Sequence, residues 1–109
     1  MEKADIDLVY MHFMTGVRTT MRVRRMTYAK MAQAMRTSGA SMSRKMTGKR
    51  VIRLSEAFVI SSILETDINQ LISLGAMVME REQRHKEAEL DQGNNTEAAG
   101  GDSEAGGVS

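Results

Sequence analysis

Residues 27–50 read TYAKMAQAMRTSGASMSRKMTGKR, two short methionine-bearing segments separated by TSG and closed by GKR. Thr27 has the character of an N-cap, because its hydroxyl can accept a backbone N–H of the following turn. Met26 and Met31 stand at the N′ and N4 positions of a hydrophobic staple. Met31, Ala32 and Met35 then supply one buried stripe. After Arg36 the chain turns, and Ser38 is placed to cap a second short helix from about Gly39 to Thr47. Met42 and Met46, four apart, face inward there, and Gly48 is a left-handed C′ residue that closes the helix. The stretch therefore reads as two helices set at an angle across a tight turn.

The flanks extend the same pattern. Proline is absent, β-branched alternation is scarce and apolar residues recur at helical spacing, which predicts an all-α fold. Ile6, Val9, Tyr10, Phe13, Val17 and Met21 mark one face of a first helix from about Asp7 to Arg24, with Gly16 weakening its middle. Asp5 and Asp7 read as a helix-start signal. A helix from about Leu54 to Leu64 is expected to bury Leu54, Ala57, Ile60 and Leu64. Asp67 with Gln70 forms a capping-box-like start for a fifth, with Ile68, Leu71 and Ile72 inward. Beyond Gly75 the chain stays helix-prone, with Glu80/Arg84 and Glu82/Lys86 in the favourable order. From Gln92 the 109-residue chain offers one bulky apolar residue, Val108, too little to offset the entropy of ordering. The expected organisation is a domain over residues 1–75, a helical extension over 76–91 and a disordered, acidic, Gly-rich tail over 92–109.

Charge is segregated along the chain. Between Leu8 and Ser55 lie eleven cations and no Asp or Glu, whereas from Glu56 onward eleven acids face three cations. A solvated basic surface ordinarily mixes signs, so the acid-free stretch favours a polyanionic partner. There is no cysteine, which excludes disulfides and thiolate sites. No apolar run approaches a membrane span and the start MEKADID is unlike a signal peptide, so a soluble, cytoplasmic protein is expected.

Together, the residues from Val17 to Ile72 resemble the helix-turn-helix domain of the Xre family, the lambda-repressor-like and Cro-like regulators. The features that carry the resemblance are the Thr27 cap, Met31-Ala32 where the family has Leu-Ala, the Thr37-Ser38 turn, apolar Met42, and Ser43-Arg44 leading to Gly48-Lys49. The Ser43-to-Arg50 ending is similar to that of phage and prophage members. The resemblance implies a five-helix domain whose second helix crosses the DNA backbone and whose third lies in the major groove. Ser38, Gly39, Ala40, Ser41, Ser43 and Arg44 are then the base-side residues. Arg44 is the one long donor among them, able to fork onto guanine O6 and N7, and Ala40 offers a methyl contact to thymine. Tyr28, Lys49, Arg50 and Arg53 are the expected phosphate partners. Tyr28 stands where the family usually has Gln, and Gly39 occupies a usual base-reading position. Arg36 and Glu65 stand where Gly is common, so each turn there is either strained or of another kind.

The expected function is that of a DNA-binding transcriptional regulator, a phage- or prophage-type repressor acting by promoter occlusion on double-stranded DNA. The resemblance also implies a homodimer, with Phe58, Ile63, Leu74, Met77 and Val78 left over for the interface. The alternative is a protein-interaction adaptor, antitoxin-like or anti-repressor; RNA binding ranks below both, since the four aromatic residues form no stacking platform by pattern. No catalytic residue, cofactor, metal site or small-molecule substrate is expected. The eleven methionines recur at core spacings rather than as a soft-metal cluster, and His12 and His85 are isolated from each other and from acid pairs at ligand spacing.

Overall fold

The computed structural model describes the backbone of residues 2–99 and the side chains of residues 2–90. Five helices follow in order: α1 (Lys3–Val23), α2 (Tyr28–Ala34), α3 (Gly39–Met46), α4 (Leu54–Leu64) and α5 (Ile68–Ala99). No strand occurs among the described residues, and none of their helices is long and apolar enough to cross a membrane. Residue contacts divide the chain into one unit ending at Met79 and a second from Glu80 on. In the first, Ala76, Val78 and Met79 remain half-buried, a turn beyond the expected limit at residue 75. In the second, every side chain described, from Glu80 to Leu90, is exposed, and the helix is supported locally by pairs such as Arg84 with Glu80 at 3.0 Å. Helical backbone continues to Ala99, past the expected end at residue 91, because propagating an existing helix avoids the nucleation step. The rest of the expected tail, 100–109, lies outside the described residues.

Local signals set most of the helix starts. The Thr27 hydroxyl accepts the Lys30 N–H at 3.1 Å and the Ser38 hydroxyl accepts the Ser41 N–H at 3.0 Å, each satisfying an orphan donor of its first turn. Asp67 and Gln70 form their box through the Asp67 N–H and the Gln70 amide oxygen at 3.1 Å. Helix α1 starts a turn earlier than the sequence pattern implies, because Asp5 accepts from the Glu2 N–H and makes Glu2 the cap.

The helix ends share one geometry. Met26, Thr37, Lys49 and Thr66 each donate a backbone N–H to a carbonyl five residues back, that of Met21, Ala32, Arg44 and Ser61. The preceding residue in each case is left-handed: Arg25, Arg36, Gly48 and Glu65, with φ of 57°, 58°, 85° and 52°. Only one of the four is glycine. Arg36 and Glu65 therefore keep the turn a glycine would make and bear a steric cost of about 1 kcal/mol each.

The core is built from Val17 and Met21 of α1, Met31 of α2, Met42 and Met46 of α3, Ile60 and Leu64 of α4 and Leu71 of α5. Flexible thioethers fill the irregular space between short helices. Two buried residues, Met14 and Ile52, lie outside the stripes read from the sequence. Three expected core residues do not belong to it: Ile6 is 53% exposed, Val9 lies at the surface and Leu54 is 72% exposed. They line an open apolar groove of 290 Å³ floored by Phe13, Ile52 and Ile72. Leu54 opens α4, and Ile6 and Val9 lie in the first two turns of α1, where the stripe outruns the partner that covers it.

Helices α1 and α5 meet backbone to backbone. A Cβ built on Gly16 would stand 2.7 Å from the Leu71 carbonyl carbon, and one on Gly75 would stand 2.5 Å from that of His12. Gly16 lies on Leu71 and Gly75 on His12, so the two helices run antiparallel in this contact. Gly16 is a packing requirement, where helix propensity alone presents it as a weak point.

Candidate nucleic-acid interface

Helix α3 has two faces of opposite character. Met42, Lys45 and Met46 are buried, while Gly39, Ala40, Ser43 and Arg44 are exposed and Ser41 is half-buried. At 3.6 residues per turn positions 40, 43, 44 and 47 form one outward stripe. A Cβ built on Gly39 would meet nothing within 4 Å, so the leading edge of the helix is open. Arg44 is the one long side chain on the outward face. The Ser38 acceptor is occupied by its cap, and the Thr47 hydroxyl donates back to the Ser43 carbonyl at 2.7 Å.

The segment after α3 is fixed in place although it has no regular structure. Gly48 turns the chain, the Lys49 and Arg50 N–H groups both donate to the Arg44 carbonyl at 2.8 and 3.2 Å, and Ile52 is buried. The Ile52 N–H donates to the Tyr10 hydroxyl of α1 at 3.0 Å. This anchored loop holds Lys49, Arg50 and Arg53 exposed directly beyond the C-terminus of α3. Tyr28 lies half-buried in a 430 Å³ cleft shared with Arg18, Met46, Thr47 and Gly48. It therefore flanks the end of α3, on the side of the cationic loop.

Of the ten expected site residues eight are exposed and two, Tyr28 and Ser41, are half-buried; nine lie on α3, its cap and the loop that follows. Two cations of the acid-free stretch serve the scaffold instead. Arg18 donates from its guanidinium to the Met46 carbonyl at 3.1 Å, tying the C-terminal turn of α3 to α1. Lys45 is only 9% exposed and pairs with Glu56 of α4. Sequence spacing gave no sign of the Arg18 contact, which spans 28 residues. Lys45 could have been suspected, since it shares the Met42 face of α3 and Glu56 is the first acid after the acid-free stretch.

The Lys45 ammonium holds the Glu56 carboxyl below its usual range, against the opposing effect of burial and aided by the Arg53 N–H, which donates to Glu56 at 2.8 Å. Because the folded value is depressed, this contribution to stability is complete above the ordinary glutamate range, about pH 4.3. It is lost as pH falls through the lower folded value. Glu56→Gln is expected to lower stability by about 2 kcal/mol at pH 7. The gap from the parent should shrink toward pH 3, read from urea midpoints; a constant gap across that range would remove the pair as its cause.

Among the described residues no group of three or more potential metal ligands is assembled. Comparison with family models, with curated proteins and with solved structures finds no match to this chain.

Proposed function

We propose that the chain is a sequence-preferring DNA-binding transcriptional regulator of the lambda-repressor-like, Xre type, a phage or prophage repressor that works by occluding a promoter. The observation that carries the reading is a single helix, α3, with a small-residue leading edge at Gly39 and Ala40, one exposed fork donor at Arg44, and three exposed cations immediately after it. Small residues let the helix approach base edges closely, and Arg44 reads guanine. Lys49, Arg50 and Arg53 neutralise phosphates and set register without reading sequence. Tyr28, beside the same loop, adds a hydroxyl donor to the backbone. The Arg18 and Lys45 contacts keep α3 at a fixed height above the core, so the outward stripe is presented rigidly.

Occlusion needs no chemistry, and none of these residues forms a nucleophile–base pair. Selection of bound duplexes from a random pool tests the reading; the expected product is a short motif with a guanine that Arg44 contacts. Arg44→Ala should then lose about 1–3 kcal/mol of preference, roughly 5- to 150-fold, on the selected duplex and little on random DNA. Equal losses on both would reject the role of Arg44. Absence of salt-sensitive binding to any duplex would reject the whole reading in favour of an adaptor that binds protein.

A further inference from the structure

The cleft between α1 and the end of α3 holds a cation without an acid. Arg18 is half-buried there. Its guanidinium donates to the Met46 carbonyl at 3.1 Å and, more weakly, to the Thr15 hydroxyl at 3.5 Å. Both acceptors are neutral, and none of the ion pairs among the described residues includes Arg18. Every lining residue falls between Tyr10 and Gly48, inside the acid-free stretch, so no carboxylate lines the cleft. Lys45, the other cation that serves the scaffold, has Glu56. A guanidinium carries five N–H donors in a fixed fork, and those that Arg18 leaves over sit in a partly desolvated space. Withdrawing a charge from water is costly until an anion compensates it.

The rest of the lining is largely apolar and aromatic. Tyr10, Met14 and Arg18 are spaced by four along α1, so the cleft follows that helix for two turns, about 12 Å. Met11 and Met14 supply thioether walls from α1, Met46 adds a third from α3, and Tyr28 stands at the start of α2. Thioethers and aromatic rings both pack favourably against an aromatic ring. At 430 Å³ the space falls in the range of small-molecule sites, about 300–1,000 Å³, which combine a mostly apolar lining with a few placed polar groups.

We infer that this cleft binds a small aryl-alkyl carboxylate, with its carboxylate on the donors that Arg18 leaves over and its ring at the Tyr10 and Met11 end. An inorganic or nucleic-acid phosphate meets the charge but leaves the apolar end empty, whereas an elongated aromatic carboxylate uses both. The link from Arg18 to the Met46 carbonyl stays in place, because the ligand takes other donors of the same fork. The site goes beyond the DNA reading and is tested without nucleic acid. Its parts are not adjacent in the sequence, since Arg18 and Met46 lie 28 residues apart.

Both tyrosines of the sequence line this cleft and there is no tryptophan, so intrinsic fluorescence reports on the site directly. Titrating the full chain with hydrocinnamate is expected to give a saturable change in tyrosine emission and a rise in melting temperature. Hydrocinnamyl alcohol keeps the ring without the charge, and propionate keeps the charge without the ring. Each should bind at least about tenfold more weakly. Inorganic phosphate should not displace hydrocinnamate. Arg18→Gln should weaken hydrocinnamate at least about tenfold and leave the alcohol unchanged, a split that a merely structural role for Arg18 does not produce. Because Arg18→Gln also loosens the tie to α3, Met11→Glu decides the matter where that variant fails to fold. Met11 is 51% exposed, so Met11→Glu should keep the urea midpoint while a charge at the apolar end lowers hydrocinnamate affinity about tenfold. Absence of a saturable change up to about 10 mM, equal affinity for acid and alcohol, displacement by phosphate, or parental affinity in Met11→Glu would each overturn the assignment.

Discussion

Gly75→Ala is expected to unfold the domain. In an isolated helix the same change would stabilise by about 1 kcal/mol, because alanine has the higher helix propensity. Here the added methyl would stand 2.5 Å from the carbonyl carbon of His12 and 2.9 Å from the backbone nitrogen of Gly16. Those atoms belong to the main chain of α1 and cannot rotate aside as a side chain would. Relief requires α1 and α5 to separate, which opens space beside Val17 and Leu71, both fully buried. Overpacking and cavity terms then add, and a loss of at least about 4 kcal/mol is expected. For a domain of this size that is most of its stability. Urea titration followed by circular dichroism measures it, and Gly16→Ala should behave alike, since its methyl would stand 2.7 Å from the Leu71 carbonyl carbon. Gly39→Ala is the control: nothing lies within 4 Å of its Cβ position, so stability should hold or rise by less than about 1 kcal/mol. A stable Gly75→Ala variant would show that the helices are not in backbone contact.

The glycine pair also marks what could be read from the sequence and what could not. Signals contained within one turn were legible: the Thr27 and Ser38 caps, the Asp67–Gln70 box, the left-handed Gly48, and α4 from Leu54 to Leu64. The phase of α3 was legible too, because Met42 and Met46 fix which side faces the core and hence that Gly39, Ala40, Ser43 and Arg44 face outward. Contacts between distant segments were not. Gly16 and Gly75 each look like weak points until the partner backbone is in place. Periodicity places Ile6, Val9 and Leu54 on the apolar face, but it does not report how far the covering helix extends. Arg25, Arg36 and Glu65 carry no local mark of a left-handed backbone; the resemblance to a family with Gly at two of these positions was the available clue. A cation inside a basic stretch reads as surface, yet Lys45 finds its partner eleven residues on.

Removing Lys49, Arg50 and Arg53 together separates the DNA reading from the stability of the scaffold. All three side chains are exposed, and the hydrogen bonds that hold their segment are made by backbone atoms, so a triple alanine variant should keep its urea midpoint. If each cation neutralises one phosphate, the log–log salt slope of DNA binding should fall by about 0.9 per residue, or about 2.7 in all. Measured at about 0.1 M salt against a 1 M reference, that slope corresponds to a loss of roughly 500-fold in affinity. The loss should be shared by selected and random duplexes, because phosphate contacts carry no sequence information. Lys45→Ala should do the reverse. Leaving Glu56 without its partner lowers stability by about 2 kcal/mol, while the salt slope stays put because the buried ammonium touches no phosphate. A basic surface acting only through net charge would respond to either change in proportion to the charges removed, so Lys45→Ala would lower the slope by a third as much as the triple variant. Fluorescence anisotropy across a salt series distinguishes the cases, and a slope that falls for Lys45→Ala would dissolve the division between the cations that hold α3 and those that meet DNA.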